Sequence, residues 1–408
     1  MKKIIAASIS LIITVLCFSS CNVINTVSDF LNNLNSVDQQ DIEVITEEYY
    51  ITSPEFDSCY NSLNQKQREI YKKIYSICEE MPKGYIKLCN DYDGVVKDIT
   101  IAYRAVLNDN ADIFWMPDTY MVGKNTNAVS GDVICIALEL NTSDNKNLKY
   151  PVNRSERDKM RNTLNSTVEQ IIASVQETDS QFEKEKFFND YICANTEYSE
   201  ESEFSNTSYG CLVGKKALCE GYSRAFKLLC NEVGIECDLI VGKADGEGHM
   251  WNSVNIDGKH SFVDVTWNDR PDYPYFYFNI TNEQLEFDHT ISPLFSDMTE
   301  EEITSGVSFN FVERICSYSG NGYYEKYGYV LGDDFEREYA KKAAEFITQS
   351  YEKKNRYADF WLKSDYIKNE FNKDDKTFVS NIQKELKGIT ITSYAFERDI
   401  LVLYYDIG

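Results

Sequence analysis

The sequence predicts an α+β protein of more than one domain, on three observations. Its 408 residues are too many for one ordinary core. Residues with a helical period, among them Met160, Leu164, Val168, Ile171, Ile172 and Val175, share the chain with strand-like runs such as Val133–Leu140. Asp257-Gly258, set between two further strand-like runs, is the strongest short hairpin signal. Hydrophobic residues make up 43% and charged residues 26%, a globular balance. The formal net charge of −25 argues against a nucleic-acid partner, whose phosphates demand a basic surface. It also argues against a broad electrostatic grip on anionic lipid, and reads as a solubilising surface.

The N-terminus comes first. Lys2 and Lys3 precede an apolar stretch from Ile4 to Phe18 that only Ser8, Ser10 and Thr14 interrupt. A membrane span needs about 20 apolar residues, so this stretch is short for one. Residues 1–20 read as a secretory signal. The end of the stretch, Cys17-Phe18-Ser19-Ser20-Cys21, resembles the lipobox of bacterial lipoproteins, with Phe18 where Leu is usual. That resemblance implies that Cys21 is diacylated at sulfur, begins the mature chain, and holds it outside the cytoplasmic membrane. Residues 21–45, rich in Asn, Ser, Asp and Val, read as a tether.

An N-terminal α+β region is expected over 46–150. It has a helix over about 56–80, closed by Pro82 and Gly84, and strands at 98–105 and Val133–Leu140. A central domain follows over 151–330. Residues 155–194 are helical, and Gly-punctuated, aromatic-rich elements run from Tyr198 to Asn279. A small α/β domain closes the chain over 331–408. Its helices are expected at 335–351 and 376–386, and its strands at Tyr357–Leu362, 389–396 and Ile400–Tyr405. The twelve cysteines show no dense disulfide framework. Cys78, Cys89, Cys135, Cys193, Cys230 and Cys316 sit in apolar surroundings and read as small buried hydrophobes.

Cys219 stands apart. Apolar residues at 218, 222, 225, 226, 229 and 233 form one face of an amphipathic helix that Gly234 stops. Cys219 then lies on its first turn, where partial positive charge and free N–H groups acidify a thiol and can meet an oxyanion. A cysteine nucleophile normally needs a base, and only His249, His260 and His289 exist. His249 opens a strand-like run that ends at Asp257-Gly258, with a return strand from Lys259 to Trp267. A two-residue turn pairs 256 with 259, 251 with 264 and 249 with 266. His249 and Asp264 then share a face as diagonal neighbours, roughly 7–8 Å apart at the backbone. A carboxylate beside an imidazole fixes its tautomer and steadies the imidazolium. His260, paired with Asn255 near the turn, is the poorer base. Trp251, opposite Asp264, either shields this pair from water or packs the sheet. Tyr222, one turn beyond Cys219, either lines a cleft or sits in the core. Glu220 supports the helix N-terminus. Cys211, Cys219, Cys230, Cys237 and His249 cluster in sequence without a C-x-x-C pair, which argues against zinc. Nucleophile, base and orienter are supplied without a metal or any other cofactor.

Three segments resemble the transglutaminase-like superfamily. Leu218-Cys219-Glu220-Gly221-Tyr222-Ser223-Arg224-Ala225-Phe226 resembles its nucleophile motif. Gly248-His249-Met250-Trp251-Asn252 resembles its histidine strand, with Met250 for the usual Ala. Phe262-Val263-Asp264-Val265-Thr266-Trp267-Asn268-Asp269 resembles its aspartate strand. The likeness covers about residues 155–290. It implies a papain-like α+β core, in which the cysteine helix packs on an antiparallel sheet carrying the histidine and the aspartate, with Cys219, His249 and Asp264 as catalytic triad. Such proteins cross-link glutamine to lysine, hydrolyse peptide or amide bonds, or have lost activity. With all three residues present, the resemblance implies an enzyme acting on a protein or peptide substrate at the cell envelope. The competing expectation is a non-catalytic surface scaffold that keeps the fold for binding.

Overall fold

The computed structural model describes residues 8–16, 58–82, 84–117, 119–126, 133–140, 151–270, 275–318, 320, 322–327, 329–397 and 399–406. Cys21 and the tether over 21–45 lie outside the described residues. The chain divides into two compact units. One comprises Met1–Thr266 with Thr281–Ser317, and the other Trp267–Ile280 with Tyr318–Gly408. Among the described residues, no helix is long and apolar enough to cross a membrane.

The first unit opens on a four-stranded antiparallel sheet in the order Ser8–Leu16, Thr119–Thr126, Val133–Leu140, Gly84–Cys89. Ser8–Leu16, the apolar centre of the expected signal, is thus an extended edge strand here. The helix expected over 56–80 is two, Ser58–Ser62 and Gln65–Glu80. Asn64 separates them because its side chain caps the second, accepting from Gln67 N while Gln67 reaches back to Asn64 N.

The strand expected at 98–105 is instead the middle of a helix, Val95–Asp109. Its buried residues include Val95, Val96, Ile99, Ile101, Ala102, Tyr103, Ala105 and Val106, while Lys97, Arg104 and Asn108 fall on one less buried stripe, as on an amphipathic helix. Ile99, Thr100, Ile101, Ala102 and Tyr103, rich in β-branched and aromatic side chains, mimic a strand inside that wider period. Gly94, with φ of +82°, provides the left-handed entry that lets the chain turn into it.

Helices Arg154–Ile172 and Gln181–Asn195 each begin at a capping box, on Asn153 with Glu156 and on Ser180 with Glu183. The cysteine helix, Cys219–Glu232, follows and ends at Gly234, whose φ is +78°. A second antiparallel sheet then contains, in order, Lys259–Val263, Glu247–Ile256, Cys237–Ala244 and His289–Ile291. The Asp257-Gly258 hairpin has the expected register, with Ile256 opposite Lys259, Asn255 opposite His260 and Asn252 opposite Val263. Asp257 and Gly258 both have positive φ, as a two-residue hairpin turn of this kind demands. The return strand is shorter than expected. It stops at Val263, and Val265–Asn268 is a single helical turn, so 249 and 266 are not paired. Val263, Val265 and Trp267 continue the strand alternation, which hides the stop from a periodicity argument.

In the second unit a four-stranded sheet runs in the order Val330–Leu331, Tyr357–Leu362, Ile400–Tyr405, Ile391–Glu397. Helices Tyr339–Glu352, Asp365–Lys373 and Asp375–Glu385 accompany it. The middle helix was not anticipated. Ile367 and Phe371, one turn apart, are its buried residues.

Candidate active site

Cys219 is the first residue of its helix, and Leu218 before it provides no side-chain cap. The thiol therefore stands at the positive end of the helix dipole. The approach to this position is tight. Leu218 N donates to Ser205 O at 2.9 Å. A Cβ on Gly221 would lie 2.3 Å from that same carbonyl oxygen and 2.8 Å from the Ala217 Cβ, so only glycine fits two residues after the nucleophile.

Two polar residues fasten this helix to the histidine strand. Ser223 Oγ lies 2.9 Å from both the Cys219 and the Met250 carbonyl oxygens. Asn252 Nδ2 donates to Ser223 O at 3.0 Å and lies 3.3 Å from Asp238 O. Ser223 and Asn252 are buried, so these bonds are made away from competing water. They set the position of the nucleophile relative to the residue beside Met250, which is His249.

His249 Nε2 and Asp264 Oδ2 are 2.7 Å apart, and both residues are buried. Nε2 is turned to the carboxylate, and the Cys219 thiol is a further hydrogen-bond partner of the same imidazole. Burial pulls the imidazole pKa down. The Asp264 charge, its hydrogen bond and the Cys219 sulfur overcome this and push it up to about 10. Burial acts to raise the Asp264 pKa. The charge and hydrogen bond of His249, joined by His289, outweigh it and hold the carboxyl well below the usual carboxylate range. A charged imidazolium thus stands beside an ionised carboxylate, next to the Cys219 thiol.

The remaining expected residues divide. Trp251 is fully buried, its ring stacked on His249 at 6.0 Å and edge-on to His289 at 5.0 Å, so it both packs the sheet and covers the imidazole. Its place depends on Gly242, where a Cβ would lie 2.7 Å from the Trp251 ring and 2.0 Å from Thr290 O. Tyr222 does not line a cleft. It is fully buried and donates its hydroxyl to Thr196 O at 3.1 Å. Glu220 is engaged by the Arg224 guanidinium at 2.8 Å and 2.9 Å, one turn along the helix. His260 lies opposite Asn255, where burial and the charge of Arg314 hold its pKa down. Among the described residues, Cys211, Cys219, Cys230 and Cys237 form no disulfide, nor do Cys59, Cys78, Cys89, Cys193 and Cys316.

One residue was missed by reading the sequence. His289 is fully buried and places Nε2 3.2 Å from the same Asp264 Oδ2 that His249 meets, with Nδ1 2.6 Å from Asp288 Oδ1. It arrives from the strand His289–Ile291, paired with Cys237–Ala244 so that His289 faces Ala244. Asn310 secures that pairing, accepting from Val241 N at 2.9 Å and donating to the Ser292 carbonyl at 2.9 Å. His249, Asp264 and His289 bring their donor atoms within 4.8 Å of one another, a separation that a cation could bridge. Both imidazole nitrogens, however, lie at hydrogen-bond distance from one oxygen, so a cation would have to replace a proton on each.

Residues 166–267, which include Cys219, His249 and Asp264, match the family model described as the transglutaminase-like superfamily. Over 125 residues the chain is 27% identical to kyphoscoliosis peptidase of Mus musculus, covering 26% of this chain and 19% of that protein. With kyphoscoliosis peptidase of Homo sapiens it is 25% identical over 123 residues, with the same 26% and 19% coverage. The chain thus spans about a fifth of the length of these curated relatives. A crystal structure of a TGase aligns with a TM-score of 0.25 at 19% identity, covering 36% of this chain and 44% of that one. Within an α+β chain, residues 166–267 thus match a domain of the transglutaminase-like superfamily, a superfamily of cysteine-enzyme type.

Proposed function

We propose that this protein is an exported, lipid-anchored cysteine enzyme that acts on amide or peptide bonds of protein substrates at the cell envelope. The observation that carries the reading is the 2.7 Å contact of His249 Nε2 with Asp264 Oδ2, with the Cys219 thiol bonded to the same imidazole at a helix N-terminus. In this reading His249 takes the Cys219 proton and the thiolate attacks the substrate carbonyl carbon. The oxyanion forms beside the first turn of the helix, whose dipole opposes its charge. The tetrahedral intermediate collapses to a thioester, and the departing amine leaves with the proton that His249 returns. Water or a second amine then attacks the thioester, giving its proton to His249, and the thiol is restored. An amine acceptor makes the reaction a cross-link or acyl transfer, and water makes it hydrolysis.

The test is a panel in which the full-length protein is offered glutamine-containing peptides with a fluorescent primary amine, and the same peptides alone. Fluorescent incorporation identifies transfer; released ammonia or new peptide N-termini identify hydrolysis. Both should vanish in Cys219→Ala and His249→Ala. Absence of either product, together with Cys219 alkylation as slow as that of the other thiols and indifferent to His249, would favour a non-catalytic scaffold instead.

A further inference from the structure

We propose that Asp288 and His289 extend the Cys219–His249–Asp264 constellation into a single hydrogen-bonded chain, with His289 as a positioning residue that holds Asp264. This rests on the enzyme reading above. His289 Nδ1 is 2.6 Å from Asp288 Oδ1 and Nε2 is 3.2 Å from Asp264 Oδ2. Each contact needs one proton between nitrogen and oxygen, so His289 ties the two carboxyl groups together through both of its ring nitrogens. The chain then runs from Asp288 through His289, Asp264 and His249 to Cys219.

Burial gives the arrangement its force. The His289 side chain is 0% exposed, Asp264 1% and Asp288 10%, so water does little to screen them. A carboxylate as deeply buried as Asp264 needs its lone pairs filled. His249 and His289 converge on one oxygen of Asp264, so His289 helps to hold that oxygen where His249 meets it. Among the described residues, the titratable groups of this chain are Cys219 from the helix, His249 from its strand, Asp264 from the end of the return strand, and Asp288 and His289 from the strand beyond. Lys243 pairs with Thr290 and so belongs to the other face of the sheet.

The experiment is the iodoacetamide rate at Cys219 against pH, read by mass spectrometry on the full-length protein. It needs no substrate. In the wild type the rate should rise and fall with the thiolate–imidazolium pair. His289→Gln removes one of the two imidazoles that meet Asp264, its ring 5.7 Å from that of His249. Asp264 then supports His249 less well, so the limb that depends on His249 should move to lower pH by about one unit. The maximal rate should fall by about tenfold, since a 1.4 kcal/mol loss of orientation is tenfold. Asp288→Asn, which keeps the side-chain size, should shift the profile less and in the same direction. It remains a test if His289→Gln does not fold. A wild-type profile that depends on His249 but is unchanged in a folded His289→Gln, or in Asp288→Asn, overturns the chain and leaves the three-residue site intact. A wild-type rate indifferent to His249 overturns the enzyme reading and this proposal together. Protection of Cys219 by zinc ion that disappears in His289→Gln would make the cluster a cation site and overturn the relay.

Discussion

Replacing Asp264 with Asn tests the core of the reasoning, because it removes a charge and almost nothing else. The carboxylate is buried, 2.7 Å from His249 Nε2, and lifts the imidazole pKa from an ordinary 6.5 to about 10 together with the Cys219 sulfur. One pH unit corresponds to 1.36 kcal/mol, so the rise amounts to about 5 kcal/mol favouring the imidazolium. Asp264 is the largest favourable contribution. A loss of about 3 kcal/mol of that support corresponds to about 10²-fold less imidazolium at a given pH, read as slower Cys219 alkylation. Amide turnover should fall further, toward about 10⁴-fold, because a carboxamide can hold the wrong imidazole tautomer.

The same substitution has a signature in stability. His249 is raised above its ordinary value, so its protonated form contributes stability that is fully present below about pH 6.5 and is lost as pH rises through about 10. Asp264 is lowered, so its contribution is present above about pH 4 and is lost only as pH falls through its depressed value. Urea denaturation of the wild type should therefore lose midpoint between about pH 6.5 and pH 10, and Asp264→Asn should flatten that fall. Cys219 alkylation within about two-fold of wild type across this range, with an unflattened midpoint curve, would falsify the assignment of Asp264 as orienter.

Four other outcomes are expected. Gly242→Ala sets a Cβ 2.0 Å from the Thr290 backbone oxygen, where no side chain can yield; it should cost about 2–4 kcal/mol by thermal melting and slow Cys219 alkylation as His289 and Trp251 shift. Ser223→Ala removes a hydroxyl shared by the Cys219 and Met250 carbonyls and should cost about 1–2 kcal/mol in urea, with a lower maximal alkylation rate and the same pH profile. His260→Ala should be nearly silent in amide turnover, since that ring lies opposite Asn255 and away from Asp264; a loss as large as that of His249→Ala in a folded protein would undo the site assignment. Expressed in a bacterium, the wild type should partition into detergent with a mature N-terminus at a lipidated Cys21, and Cys21→Ala should remain in the aqueous phase; equal partitioning would remove the anchor.

The parts of the fold legible in the sequence are those fixed by short-range rules. The Asp257-Gly258 turn sets a register that holds from Ile256 opposite Lys259 to Asn252 opposite Val263, because a two-residue turn leaves no freedom in pairing. The strands Val133–Leu140, Tyr357–Leu362 and Ile400–Tyr405 have the bounds their apolar runs suggest. Failures occur where a short run mimics the other period or where a partner arrives from far along the chain. Ile99, Thr100, Ile101, Ala102 and Tyr103 read as a strand inside the helix Val95–Asp109, whose period shows only over the longer spacing of Lys97, Arg104 and Asn108. The return strand ends at Val263 although alternation runs on to Trp267, since alternation records which residues are apolar and not where the backbone turns.

The site divides along the same line. Cys219 was legible from its place on one helix, and His249 with Asp264 from one hairpin, each a local element whose geometry follows from a few residues. What joins the two elements is tertiary: Ser223 to Met250, Asn252 to Ser223, and the absent side chain at Gly242. His289 is the extreme case. It is 25 residues from Asp264 in sequence and reaches it only because His289–Ile291 adds to the far edge of Cys237–Ala244. Chemistry alone offered a hint, since three histidines in 408 residues leave few places for a second imidazole. A buried histidine directly following an aspartate, on a short strand, is unremarkable until the pairing is known. The placement then has a physical consequence. Asp264 answers to two imidazoles at once, so its hold on His249 depends on a residue from another strand. Loosening that strand, at Gly242 or Asn310, should therefore weaken Cys219 without touching it.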